Sequence, residues 1–167
     1  MITIDEQFVH APADVCFDVA ADVERWPLIL PHYRWVRFHS KDGFGAGVVE
    51  MSAWRQFPAG LKYPTWWVSR MRSSAREPAV YYDHIDGVTR GMAVKWQLQP
   101  QGPETLIRLV HEWAGPAWPL IGSFAASNVI GPHFVSAIAK RTLAGVALEA
   151  ESRCHHRHRA DHGSRNR

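Results

Sequence analysis

Cysteine is scarce in this chain. Cys16 and Cys154 are the two it has, one in an expected helix and one near the C-terminus, which excludes a disulfide framework and a CxxC metal site. Long apolar runs are missing as well, and no stretch approaches the ~20 residues of a membrane-spanning helix. The start, Met1-Ile2-Thr3-Ile4-Asp5-Glu6, lacks a basic region followed by an apolar one. No secretory leader is therefore expected, and a cytoplasmic protein is. No Gly-rich phosphate loop, Ser-His-Asp order or nucleophile elbow is present. Potential metal ligands are isolated, except for His155, His156 and His158. Clustered histidines can hold a metal, but here a solvated basic stretch is the expectation. We expect neither a metal nor a cofactor.

A basic fold is also missing, although the formal net charge is +3. Five of the 19 Lys+Arg residues and two of the 16 Asp+Glu residues fall in 151–167, which leaves residues 1–150 with fourteen of each sign. Nucleic-acid binding is not expected of a neutral domain. From Glu151 onward the chain shows no apolar periodicity, so a disordered Arg/His-rich tail, 151–167, is expected after a single domain, 1–150. A domain of this size can bury ~70% of its unfolded surface and needs no staples.

Tryptophan is abundant, at 8 residues, mostly within stretches that read as strands. Large aromatic walls imply either a Trp-rich core or an aromatic pocket. Along the chain a first strand runs to about His10, with Ile2, Ile4 and Phe8 on one face. Ala11-Pro12-Ala13-Asp14 opens a helix. Asp22 starts a second, short one through Trp26, closed by Pro27 and Pro31. The period then becomes two. Strands are expected over His32 to Ser40, Val48 to Phe57, Thr65 to Ser74, Val80 to Ile85, Met92 to Leu98 and Thr105 to Trp113. Short turns between them mean an antiparallel sheet.

The last apolar segment, Ile121 to Ala150, returns to helical spacing. Phe124, Asn128, Gly131, Phe134, Val135, Ile138, Thr142 and Val146 form one stripe. A kink is expected at Gly131-Pro132. A helix this long needs a partner for its stripe. The expected fold class is therefore α+β: a curved antiparallel sheet of about seven strands wrapped around one long C-terminal helix. A cavity between the two is a natural outcome.

Alternation also nominates site residues. Ile107, Leu109, His111 and Trp113 share a face of the last strand. His111 is either a satisfied core histidine or an acid/base group on a pocket. Trp96 and Trp113 are expected walls. Arg55 shares a face with Met51 and Ala53, and Asp83 is placed inward with Tyr81 and Ile85. Asn128 is a buried amide in need of a partner, with Phe124 and Phe134 beside it on the stripe.

Several segments resemble a known family. Ala11-Pro12-Ala13-Asp14-Val15, Asp22-Val23-Glu24-Arg25-Trp26-Pro27 and Pro31-His32-Tyr33 resemble the start of the START/Bet v 1-like helix-grip superfamily, and more narrowly its polyketide cyclase/dehydrase branch. Trp67-Val68-Ser69, Gly91-Met92-Ala93-Val94-Lys95-Trp96 and the helix from Val129 through Leu143 continue the match. The resemblance covers about residues 2–150. It implies a helix-grip fold with a deep apolar pocket. The ligand it implies is a poly-β-ketone undergoing aldol cyclisation and dehydration, with an acyl carrier protein as partner. The superfamily also contains non-catalytic carriers of lipids or quinones, and fold alone does not choose between them. Tyr33 occupies what looks like a pocket tyrosine position, and Trp67 and Ser69 match pocket positions. In tetracenomycin-type aromatase/cyclases a functional arginine follows two residues after that serine. Met71 stands there in this chain, and Arg70 and Arg72 alternate to the other face. Tyr33, His111, Ser69 and Arg55 are thus the candidate catalytic residues, and Trp67, Met71, Asp83, Trp96, Trp113, Phe124, Asn128 and Phe134 the candidate binding residues. A monomer and a homodimer are equally open.

Overall fold

The computed structural model describes residues 1–56, 60, 62–115 and 131–164. Strand β1 (Ile2–Val9) is followed by α1 (Ala13–Ala21), a 3-10 turn (Val23–Arg25) and α2 (Trp26–Ile29). Six strands come next: β2 (Tyr33–Gly43), β3 (Ala46–Gln56), β4 (Lys62–Ser74), β5 (Ala79–Gly87), β6 (Ala93–Gln101) and β7 (Glu104–Glu112). The last element is α3 (Gly131–Ser164). The strands form one antiparallel sheet in the order β1-β7-β6-β5-β4-β3-β2. Each strand from β2 to β7 pairs with the one before or after it in sequence, as short turns dictate. β1 closes the far edge against β7.

The core lies between the inner face of this sheet and the helices. Alternation places Met92, Val94, Trp96 and Leu98 inward, and likewise Ile107, Leu109 and His111, and all are buried. α1 contributes Val15, Cys16, Val19 and Ala20. Trp26 of α2 is almost wholly enclosed, and its indole N–H donates to the Val19 carbonyl at 3.1 Å. Burial holds the Cys16 thiol up at a pKa of about 11, so it is an inert core group. α3 covers the inner face with Val135, Ala139, Leu143, Val146, Ala147 and Ala150.

Two local expectations are corrected, on β5 and at the end of the last helix. On β1, Ile2, Ile4 and Phe8 share a face as expected, and that face is exposed, while Asp5 and Val9 are buried. Val9 packs into the core beneath the helices, and Glu6 pairs outside with Arg108 at 3.6 Å. β5 is turned over. Val80 and Tyr82 face inward, while Asp83 is exposed and accepts from Arg72 at 2.9 Å. Residues 79–84 alternate in unbroken register with β4, and a bulge follows: Val68 pairs with Asp86 but Ser69 pairs with His84, so Ile85 is the extra residue. Finally, α3 does not stop at 150 but runs to Ser164. The stripe continues one turn at a time through Val146, Ala150 and the half-buried Cys154, which packs on the core. Glu149 and Arg153 form an i,i+4 pair at 2.8 Å, which supports this last stretch of helix. Glu151 accepts from the His10 backbone N–H at 2.9 Å. The expected kink falls at the first described residues of α3, and the helix expected upstream of it lies outside the described residues.

α3 and the end of α2 approach closely at Gly145. A Cβ there would overlap Leu30 Cδ2, and Leu30 is fully buried. Gly145→Val is expected to destabilise the fold by about 2 kcal/mol, because overpacking outweighs the gain in helix propensity. Urea unfolding reads this directly, and a midpoint equal to wild type would contradict the close approach.

Candidate functional site

A cavity of about 80 Å³ lies between sheet and helix. Its walls follow from the elements just described. Trp26 closes one end. Tyr33 enters from the start of β2, Trp67 from β4 and Trp96 from β6. Val135, Ile138, Ala139 and Thr142 of α3 form the roof. The aromatic rings make a continuous belt. Trp26 lies 5.7 Å from Trp96 and 5.1 Å from Tyr33, centroid to centroid. Tyr33 lies 6.2 Å from Trp67, and Trp67 stacks on His84 at 6.0 Å and 11°. Such edge and offset contacts hold a flat, apolar surface in place.

Among the described residues four titratable groups line the cavity: Tyr33, Tyr82, His84 and His111. Register explains their grouping. Tyr82, Val94 and His111 stand side by side on β5, β6 and β7. His84 lies one inward position farther along β5, beside Ser69 on β4. Burial raises the pKa of both phenols, so they stay protonated and can donate. Burial lowers His84 to about 3, helped by the nearby His111. Burial also lowers His111 to about 4, against a partial opposing effect of Asp5. Both imidazoles are therefore neutral near pH 7, each with one N–H and one lone pair. His84 Nδ1 is 2.5 Å from Thr89 Oγ1, and His111 Nδ1 is 3.4 Å from Thr3 Oγ1. The cavity wall carries no Lys, Arg, Asp or Glu among the described residues. Nor do the described residues hold a cluster of three or more His, Cys, Asp or Glu placed to bind a metal.

The structure brings together Tyr33, Trp67, Trp96 and His111. It does not bring the others onto this wall. Ser69 is fully buried with its hydroxyl unpartnered among the described residues, but it lies beside the cavity rather than on it. Met71 is packed core. Trp113 is buried elsewhere, and its N–H donates to the Arg90 carbonyl at 3.0 Å, fixing the turn after β5. Arg55 is half-buried on the inner side of β3 and does not reach the wall. Asp83 is outside the sheet, bound to Arg72. Arg70 is exposed too, so among the described residues no arginine replaces the one absent at Met71. Phe124, Asn128 and the side chain of Phe134 lie outside the described residues.

Tyr82, His84, Thr89 and Trp26 were missed. Val80-Tyr82-His84 alternates as well as Tyr81-Asp83-Ile85, and the buried Val80 was the signal that chose between them. Trp26 read as the end of a short helix, and nothing local shows that this helix plugs the end of the grip.

Comparison with known proteins follows the same lines. A family model described as polyketide cyclase / dehydrase and lipid transport matches residues 9–128. No curated protein matches the sequence significantly. Among solved structures, an aromatase/cyclase from a Streptomyces species is 23% identical with a TM-score of 0.70, covering 92% of this chain and 95% of that one. A protein from Thermus thermophilus is 13% identical with a TM-score of 0.72, covering 91% of this chain and 98% of that one. A START superfamily protein from Mycobacterium smegmatis is 17% identical with a TM-score of 0.63, covering 91% of this chain and 95% of that one. These likenesses show the helix-grip fold. Among the described residues no helix is long and apolar enough to cross a membrane.

Proposed function

This chain belongs to the polyketide cyclase / dehydrase and lipid transport family, and from that premise we propose that it folds a poly-β-ketone chain in its cavity and promotes aldol cyclisation with loss of water. One observation carries the reading: uncharged hydrogen-bonding groups converge inside an aromatic belt. Such a wall suits a flat, oxygen-rich, uncharged chain. Holding an enol carbon against a carbonyl is catalysis by proximity. The carbonyl oxygen gains negative charge as the carbon–carbon bond forms, and the Tyr33 phenol and the His111 N–H are donors suited to meet it. The alkoxide takes up a proton. Dehydration then removes an α-proton and expels the hydroxyl as water. With a pKa of about 4, His111 is a weak base, so its main part is to donate to oxygen and relay the proton. An acyl carrier protein delivering the chain fits this reading.

The test is product analysis with a synthase that supplies the poly-β-ketone. Tyr33→Phe and His111→Ala, each verified as folded, are expected to shift the product profile and lower the cyclised fraction at least tenfold. An unchanged profile for both would remove these roles.

A second reading, a non-catalytic carrier of a lipid, quinone or other apolar molecule, is favoured by one observation. Arg70 and Arg72 lie outside the sheet and Met71 is apolar core. Among the described residues the cavity therefore lacks the cation that orients the chain in the tetracenomycin-type enzymes the sequence resembles. An apolar ligand co-purifying with the protein, with no cyclisation, would decide for it.

A further inference from the structure

The Tyr82 hydroxyl is buried and has no hydrogen-bond partner among the described residues, although its side chain lines the cavity. A buried polar group without a partner is costly, and native structures rarely keep one without a use. Tyr82 is locked from behind. It pairs with Val94 on β6 and Met71 on β4, both buried. Burial, with a smaller effect of the nearby Tyr33, disfavours a phenolate at Tyr82, so the hydroxyl keeps its proton and can donate. The ligand group that uses this proton is an acceptor.

The remaining wall says which kind of acceptor. Among the described residues the cavity has no cation, and its polar groups are neutral hydroxyls and two neutral imidazoles among aromatic and aliphatic side chains. A full anion leaving water for this wall loses its hydration, and neutral donors without a cation repay only part of that loss. We propose that Tyr82 is the specificity-determining residue of this cavity, donating to the oxygen of an uncharged aryl or vinylogous ketone, and that carboxylates, free fatty acids included, are rejected. The proposal rests on the reading that this cavity is the ligand site, but not on cyclisation.

The experiment titrates three one-ring probes into the protein at pH 7.5, following tryptophan fluorescence and ligand-observed NMR. The probes are acetophenone, ethylbenzene and benzoate. Wild type is expected to bind acetophenone several-fold more tightly than ethylbenzene and at least tenfold more tightly than benzoate. Tyr82→Phe should weaken acetophenone about fivefold, the effect of one neutral hydrogen bond, and leave ethylbenzene within twofold. Unchanged acetophenone affinity in Tyr82→Phe overturns the proposal, and so does benzoate binding as tightly as the ketone. The second comparison needs no variant. If none of the three probes binds wild type, the ligand-site reading falls as well. Tyr82-dependent ketone binding by a protein that closes no ring would retain this proposal and remove the cyclase.

Discussion

Gly87→Ala is expected to cost about 3–4 kcal/mol of stability and to spoil the cavity. Gly87 ends β5 opposite Trp67, with φ +87. That backbone conformation already costs a residue with a Cβ about 1–2 kcal/mol. The added Cβ would overlap the Trp66 carbonyl oxygen and sit 2.6 Å from Trp67 Cα. Both are backbone atoms of the neighbouring strand, so no side chain can swing away to make room. The strands must separate instead, and they separate at the bulge that aims His84 at Trp67. The stack between these two rings at 6.0 Å is then lost with the strand register. Urea unfolding gives the stability change, and near-UV circular dichroism reports the tryptophan environment. A loss under about 1 kcal/mol, below even the cost of the backbone conformation, with an unchanged aromatic spectrum would contradict the account of this strand pair.

The second large effect is acid lability above the carboxylate range. His111 and His84 have folded-state pKa values of about 4 and about 3, against 6.5 for an exposed imidazole. A lowered histidine reverses the more familiar sign. The unfolded chain takes up the proton first, so the stability these groups confer is complete above pH 6.5 and is lost as pH falls towards 4. Each imidazole removes at most about 1.4 kcal/mol per pH unit, or up to about 3 kcal/mol over that window. His32, lowered to about 4 by burial, acts in the same direction but is more exposed and better screened. His10, raised by Glu104, acts oppositely and sits fully in solvent, where such pairs contribute little. Most carboxylates titrate near or below about pH 4, so a loss between about pH 6.5 and 4.5 belongs to the buried histidines. Chemical unfolding at half-unit steps tests it. His111→Gln should flatten the slope, and a wild-type slope of zero over that window would contradict neutral burial of these rings.

The strands and the covering helix were legible because their patterns are strong. The run from Met92 to Leu98 alternates without a break, and the interior of the sheet is built on it. Val146, Ala150 and Cys154 show why the helix end was not legible. The stripe persists past residue 150, but histidines and arginines on the other faces make the segment read as polar throughout. On β1 the two faces were legible, but not which of them turns in. Ile2, Ile4 and Phe8 outnumber the buried Val9, and only the pairing of Glu6 with Arg108 and of Asp5 with Ser136 (2.8 Å) on α3 shows which face is turned in. On β5 two sets alternate equally well, Val80-Tyr82-His84 and Tyr81-Asp83-Ile85, and only the pairing with β4 and β6 turns the first set inward. The site suffered most from that ambiguity. Trp96 and His111 come from strands with clean alternation, and Tyr33 and Trp67 were nominated by the family resemblance. Tyr82 and His84 come from the ambiguous strand, and the donor that the cavity leaves unpaired was hidden there.

The central claim is that this cavity turns an uncharged poly-β-ketone into a ring. The most direct measurement is the rate and regiochemistry with which a minimal poly-β-ketone thioester cyclises with the protein and in buffer alone, resolved by chromatography and mass spectrometry. The account predicts one dominant cyclised and dehydrated product, formed faster than in buffer and lost when Tyr33→Phe and His111→Ala are combined. The same mixture of spontaneous products at the same rate, with and without protein, would contradict it.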